Sequence, residues 1–381
     1  MTVTDTFVKG ADISIIHELE ELGGKFYYQK KERDLFEILK INGINTIRLR
    51  IWVDPYDEEK NPYLGGTNDL RTTLDLAKRA KANGMQWMIN FHYSDFWADP
   101  KKQMKPKAWD GLSGKQLEDE VYQYTRQVLE ICAEQDVIPE FIQIGNEITN
   151  GMLWPDGKTP MFKFEERRFE DVEEEVREKS YNQLARLLKA GIRAVKEVRM
   201  PQSSKIILHL DFGGANELYR TWFDEITRRD VDFDIIGLSY YPFWHGSLDE
   251  LEFNLNDISA RYNKEVLIVE TAYGFTEEDP LGSCIFTKDL ADIGGYPATV
   301  EGQKSFLRDL MKIVQQTENH KGKGIVYWEP SWLPLKNTTW ASYEGMKYGN
   351  DVAPTGNHWA NQGLFDFKGN TLDSLNVFRE F

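Results

Sequence analysis

Eight short β-rich runs, each set apart from the next by a longer stretch, constrain this chain more than any other feature. The runs are 7–14 "FVKGADIS", 46–53 "TIRLRIWV", 86–94 "QWMINFHYS" and 140–149 "EFIQIGNEIT", then 205–212 "KIILHLDF", 233–242 "FDIIGLSYYP", 265–273 "EVLIVETAY" and 324–333 "GIVYWEPSWL". The stretches between them read as amphipathic helices, among them 32–43, 68–84, 117–135, 247–263 and 302–318. Ser247 and Glu250 have the spacing of a capping box, and Gly43 and Gly84 stand where a helix should stop. Eight strand–helix units predict an α/β fold of the (β/α)₈ TIM-barrel type, as one domain over 1–381. A doubly wound open sheet competes, but no Gly-rich phosphate turn supports it.

Two stretches stand outside the pattern. The charge run 164–179 "FEERRFEDVEEEVREK" reads as a solvated helix face. The segment 333–361, rich in Trp, Asn and Gly, reads as a long loop at the catalytic end of the barrel.

In such a barrel the C-terminal ends of the strands face the active site, so the last residues of each run are the candidates. Run two ends with Arg48 and Trp52, run three with His92, Tyr93, Ser94 and Asp95, and run four with Asn146 and Glu147. Run five ends with His209 and Asp211, run six with Tyr240 and Tyr241, run seven with Glu270, and run eight with Trp328 and Glu329. Glu147 shares strand parity with Gln143 and Gly145, and Glu270 with Val266 and Ile268, but parity alone does not say which face looks inward. Two carboxyls across one pocket are the equipment of glycoside hydrolysis, one giving a proton and one attacking carbon. Alternatively, each glutamate caps the helix that follows or pairs with Arg48.

Of eleven tryptophans, nine fall at strand ends or in the loops beyond them: 52, 97, 109, 154, 244, 328, 332, 340 and 359. Aromatic faces stack on the apolar faces of sugar rings, so the pattern points to a carbohydrate, or else to rings that plug the barrel mouth. The formal net charge of −16 argues against nucleic-acid and anionic-membrane partners and suits a neutral ligand. No run approaches the ~20 apolar residues that cross a bilayer. The two cysteines, Cys132 and Cys284, lack metal-ligand spacing, and "HYSDFWADP" accounts for its aspartates as turn residues, so no metal is expected. The N-terminus shows neither a basic start nor a long apolar segment. A cytoplasmic location is therefore expected, or a secreted chain whose leader has been removed.

Seven segments in order resemble the endo-β-1,4-galactanases (arabinogalactan endo-β-1,4-galactosidases) of glycoside hydrolase family fifty-three. They are "TIRLRIWVDP", "FHYSDFWADPKKQMKPKAW", "IQIGNEITNGMLWPDG", "IGLSYYPFWHGSL", "IVETAYGF", "YPATVEGQ" and "YWEPSWLP", and the likeness runs from "GADIS" to "FDFKGNTLDSLNVF". The resemblance implies a retaining (β/α)₈ glycosidase with Glu147 as general acid/base and Glu270 as nucleophile. It also implies that Asn146 bonds the sugar's 2-hydroxyl and that Arg48 and Tyr241 hold the nucleophile. His92 and Trp328 would shape the subsite at the cleaved bond, with Trp97 and Trp332 as stacking platforms. The implied partner is β-1,4-galactan or a galacto-oligosaccharide acted on by a monomer. Several bacterial members carry a calcium loop after strand seven. The segment "GFTEEDPLGSCIFTKDLADIGGYP" lacks its alternation of ligands, so no cofactor is expected, although Asp279, Asp289 and Asp292 lie there. The alternatives are another glycanase of the same clan, a mannanase or xylanase, and a carbohydrate-binding barrel without catalysis.

Overall fold

Residues 6–160, 169–200 and 202–381 are described by a computed structural model. Eight parallel strands hydrogen-bond into a closed ring: β1 (Val8–Asp12), β2 (Thr46–Ile51), β3 (Gln86–Phe91), β4 (Phe141–Ile144), β5 (Lys205–Leu210), β6 (Ile235–Ser239), β7 (Glu265–Thr271) and β8 (Gly322–Trp328). Each neighbours the next in chain order, and β1 pairs with β8 to close the barrel. All eight runs read from the sequence are strands, and the fold is a TIM barrel.

Inside the ring, Val8, Met88, Phe141, Ile207, Ile235, Leu267, Val269 and Val326 form a separate apolar layer supplied by seven of the strands. Gly10 and Gly237 give that layer its room. A Cβ on Gly10 would lie 2.7 Å from Val326 Cγ2, and one on Gly237 2.8 Å from Ile207 Cγ2. The alternate residues, such as Ile47, Leu49, Ile89, Leu208 and Ile268, face outward into the larger core against the helices.

Those helices are α1 (Leu35–Ile41), α2 (Leu70–Ala82), α3 (Gly114–Glu134), α4 (Glu174–Glu197), α5 (Asn216–Thr227), α6 (Leu248–Tyr262) and α7 (Val300–Gln316). The expected end signals operate. Ser247 and Glu250 form a complete capping box on α6, and Gly43 and Gly84 take left-handed φ of +95° and +65° just past α1 and α2. Of the charge run 164–179, residues 164–168 lie outside the described residues, and 174–179 are the largely exposed first turns of α4. The segment after β8, read as a long loop, holds a short helix, Tyr343–Tyr348, and further on a 3₁₀ turn, Asp373–Arg379, packs on α7. The hairpin Phe26–Tyr28/Lys31–Arg33 has no counterpart in the sequence reading. Its turn puts Gln29 and Lys30 at positive φ without the glycine or asparagine that normally signals one. No helix among the described residues is long and apolar enough to cross a membrane.

Candidate active site

Alternation carries six strands from the apolar layer directly into polar side chains or an indole at the mouth. Val8 leads to Asp12, Met88 to Asn90 and His92, Phe141 to Gln143, and Ile207 to His209 and Asp211. Ile235 leads to Ser239 and Tyr241, Val326 to Trp328, and β2 contributes Arg48 and Arg50. Several strands then end abruptly. Tyr93, Glu147, Phe212 and Glu329, directly after His92, Asn146, Asp211 and Trp328, all have φ between +46° and +54°. The runs read as 140–149 and 324–333 therefore overshoot, since the strands stop at Ile144 and Trp328.

Strand β7 breaks the alternation, and this decides where Glu270 points. Leu267 and Val269 face inward, so a regular strand would turn Glu270 out toward the helices. Leu238 pairs with Ile268 but Ser239 pairs with Glu270, leaving one extra residue in β7. On the other side, Ile268 to Thr271 spans Ile325 to Tyr327, again one residue longer in β7. This bulge re-aims the carboxylate into the mouth.

There Glu270 meets Arg48, whose Nη1 lies 2.9 Å from Oε1, and the Tyr241 hydroxyl, 3.4 Å from Oε2. Arg48 is itself buried and also bonds Asp12 at 2.8 Å, Asn146 Oδ1 at 3.0 Å and Gln143 Oε1 at 3.1 Å. The pairing with Arg48, an alternative to a catalytic role when read from the sequence, is here part of the same site as the second carboxyl. Glu147, half-buried on the facing wall, accepts a 2.6 Å hydrogen bond from the Ser239 hydroxyl. One carboxylate oxygen of Glu147 and one of Glu270 lie within 4.8 Å of each other.

The two carboxyls differ in surroundings. Burial pushes Glu147 well above the usual carboxylate range, and the negative charges of Glu270 and Asp211 push it further. Burial also raises Glu270, but Arg48 and Arg50 oppose that shift. Of the pair, Glu147 is thus the one that keeps a proton. His92 is held neutral by burial and by the nearby Arg50 and Arg48. Its Nδ1 receives hydrogen bonds from Trp52 Nε1 and the Ala98 amide, both at 3.2 Å. Asn146 Nδ2 donates to Ala98 O at 2.8 Å.

The carboxyls sit at the floor of a cleft of about 690 Å³, lined also by Arg48, His92, Asn146 and Tyr241. Trp97, Trp244, Trp328, Trp332, Trp340 and Trp359 line it as well. The structure thus brings all nine sequence-derived site residues to one cavity. Six of the nine tryptophans at strand ends and in the loops beyond them thus line the cleft, and Trp52, Trp109 and Trp154 pack elsewhere. Trp52 is buried behind His92, Trp109 is buried against Tyr93 and Tyr124, and Trp154 bonds Asn150 O. Arg50 backs Trp97, its guanidinium 4.2 Å from the ring centroid.

A family profile, Glycosyl hydrolase family 53, matches residues 8–378. The chain belongs to that family. The solved Ignisphaera aggregans GH53 catalytic domain is similar to this family 53 chain, with a TM-score of 0.87 and 42% identity over 98% of this chain and 96% of that one. A structure from a study of two fungal beta-1,4-galactanases aligns with a TM-score of 0.77 and 29% identity, covering 98% of each chain. The endo-beta-1,4-galactanase of Bacillus subtilis (strain 168) is 36% identical over 394 residues, 98% of this chain and 85% of that protein.

After β7 the segment that holds Asp279, Asp289 and Asp292 is tied down by its own side chains. Asp279 accepts the backbone N–H groups of Leu281, Ser283 and Cys284 at 3.3, 3.1 and 2.9 Å. Asp292 pairs with Lys288, and Asp279, Asp289 and Asp292 form no ligand group among the described residues. Glu147, His209 and Glu270 do offer three ligand-type atoms in one place, but both His209 nitrogens already bond protein atoms, Gln143 Nε2 at 3.0 Å and Ser239 Oγ at 2.8 Å. Asp12 and Ser239 join the site without having stood among the strand-end candidates. Each was accessible, Asp12 by inspecting the end of run one and Ser239 by its shared parity with Tyr241.

Proposed function

We propose that this family 53 glycosyl hydrolase cleaves internal β-1,4-galactosidic bonds in galactan, the side chains of pectic type I arabinogalactan, with retention at the anomeric carbon. The observation that carries the mechanism is the carboxylate separation, within 4.8 Å. Retaining enzymes hold their two carboxyls ~5 to 5.5 Å apart and inverting ones ~6.5 to 9.5 Å, to admit a water. The galactanase names of the relatives support the substrate.

In this reading Glu270 Oε attacks the anomeric carbon while the protonated Glu147 gives its proton to the leaving O4, so the C–O bond breaks and a galactosyl ester forms. Glu147, now ionised, takes a proton from water, which attacks the ester carbon and frees Glu270. Arg48 and Tyr241 hold Glu270 as the anion. Asn146 has one amide N–H engaged with Ala98, so its other N–H is the donor for the sugar's 2-hydroxyl. Trp328 and His92 wall the bond to be cleaved, and Trp97 and Trp332 stack on rings. These groups and water suffice, and no cofactor enters the scheme.

Linear β-1,4-galactan, mannan and xylan are incubated separately with the enzyme, and the products are followed by chromatography and by NMR at early times. Galacto-oligosaccharides of mixed length with the β-anomer first are expected. Release from mannan or xylan but not galactan would overturn the substrate, and α-anomer first would overturn the mechanism.

A further inference from the structure

A closed ring of hydrogen bonds begins and ends on Glu147. The Glu147 backbone N–H donates to His209 Nδ1 at 3.3 Å. His209 Nε2 lies 2.8 Å from Ser239 Oγ, and Ser239 Oγ lies 2.6 Å from Glu147 Oε1. Directions follow from the donors available. Nδ1 also faces the amide Nε2 of Gln143 at 3.0 Å, so with two N–H groups aimed at it Nδ1 carries no proton. The ring proton is therefore on Nε2 and is given to Ser239. Burial and Arg48 hold His209 neutral, in agreement. With one lone pair of Ser239 Oγ filled by His209, its single proton goes to a carboxylate. Two compete for it, and Glu147 at 2.6 Å is far closer than Glu270 Oε2 at 3.5 Å.

We propose that Ser239, fixed by His209, is the positioning residue that sets which oxygen of Glu147 does the chemistry. Oε1 is held as the acceptor of the serine proton, and Oε2 is left to carry the catalytic proton into the cleft. As that proton leaves, Oε1 gains charge and the serine hydrogen bond strengthens, so the contact favours the ionised form that the second step needs. The same ring pins the backbone of Glu147 in its left-handed conformation, φ +46°. The titratable groups facing Glu147 are Glu270 from β7, His209 from β5 and Asp211 just after it, Asp99 from the loop after β3, Tyr241 after β6 and Tyr219 from α5. Of these and Ser239, only Ser239 donates a proton to the carboxyl itself. This inference rests on the acid/base assignment of Glu147 made above.

The test is the pH profile of kcat/KM on galactan for Ser239→Ala and Ser239→Cys, both nearly isosteric. Loss of the hydroxyl should move the basic limb up by about one pH unit, the ordinary effect of losing a charge-assisted hydrogen bond, and lower kcat by about 10- to 100-fold. The weakly donating thiol should fall between Ala and the parent. A basic limb that stays in place in Ser239→Ala, with activity lost only in proportion to a lowered Tm, would reduce Ser239 to packing and overturn the proposal. Glu147→Ala with added azide is run in parallel. If azide rescues it while the Ser239→Ala limb is unmoved, only the Ser239 inference falls. If Glu147→Ala keeps parental turnover without azide, the acid/base assignment falls and takes this inference with it.

Discussion

Glu270 and Ser239 are ladder partners across β7 and β6, one residue out of step with the Leu238–Ile268 pair beneath them. That offset aims Glu270 at the sugar carbon, and it makes the reaction sensitive to reach. Glu270→Asp withdraws the carboxylate by one methylene and should cost about 10²-fold or more in kcat with the fold intact. Steady-state kinetics beside a thermal melt checks this.

The two glutamates should be told apart by azide. Glu270→Ala leaves a gap on the α face, and azide entering there should give an α-galactosyl azide from a substrate with a good leaving group. Glu147→Ala still forms the ester on Glu270, and azide opening it should give the β-azide. NMR of the products reads the anomer, and reversed products would exchange the two roles.

Arg48 ties Glu270, Asp12, Asn146 and Gln143 together from a buried position. Its own charged form is penalised by burial, but Glu270 and Asp12 outweigh that and raise its pKa. Arg48→Met removes the cation and strands two buried carboxylates, which should cost about 3–5 kcal/mol in denaturant unfolding. Losing the cation also raises the Glu270 pKa, so less of it is ionised at a given pH. The acidic limb of kcat/KM should therefore move upward.

Glu18, buried beside the loop at Gly66, has its pKa raised to about 7 from the ordinary 4.5, chiefly by burial. The folded state holds this proton more tightly than the unfolded chain. The contribution to stability is therefore full below pH 4.5 and is lost as pH rises through 7. Glu18→Gln keeps an acceptor for the Gly66 N–H and cannot ionise. Its Tm should match the parent near pH 4 and exceed it increasingly toward neutrality. A difference that does not vary with pH would count against this account.

The tryptophans should divide into two kinds. Trp328→Ala, in the cleft wall, should raise KM for galactan about 10-fold or more with little change in Tm. Trp109→Ala, buried against Tyr93 and Tyr124, should lower stability by about 3–5 kcal/mol and leave KM unchanged. Kinetics and melts on both variants separate the two.

Much of this molecule is legible from local chemistry. The eight strands, the capping box at Ser247 and the stop glycines at Gly43 and Gly84 each depend on neighbours in the chain, and each is present, although the runs 140–149 and 324–333 extend past their strands. The Phe26–Tyr28/Lys31–Arg33 hairpin was not legible, because Gln29 and Lys30 take positive φ without the glycine or asparagine that marks such a turn. The tryptophans were legible only as a set. Trp52 and Trp97 are both near strand ends, yet one supports His92 from behind and the other faces the cleft.

The sequence by itself determined the order of the strands, the family, and the two glutamates that meet at the barrel mouth. It could not determine that Glu270 faces inward, since Leu267 and Val269 already occupy the inner face and regular alternation would send the next residue out. Only the pairing of β7 with both neighbours inserts the extra residue that turns the carboxylate around. The physical reason is that side-chain parity is a local property of one strand, whereas a bulge is set by the register of three.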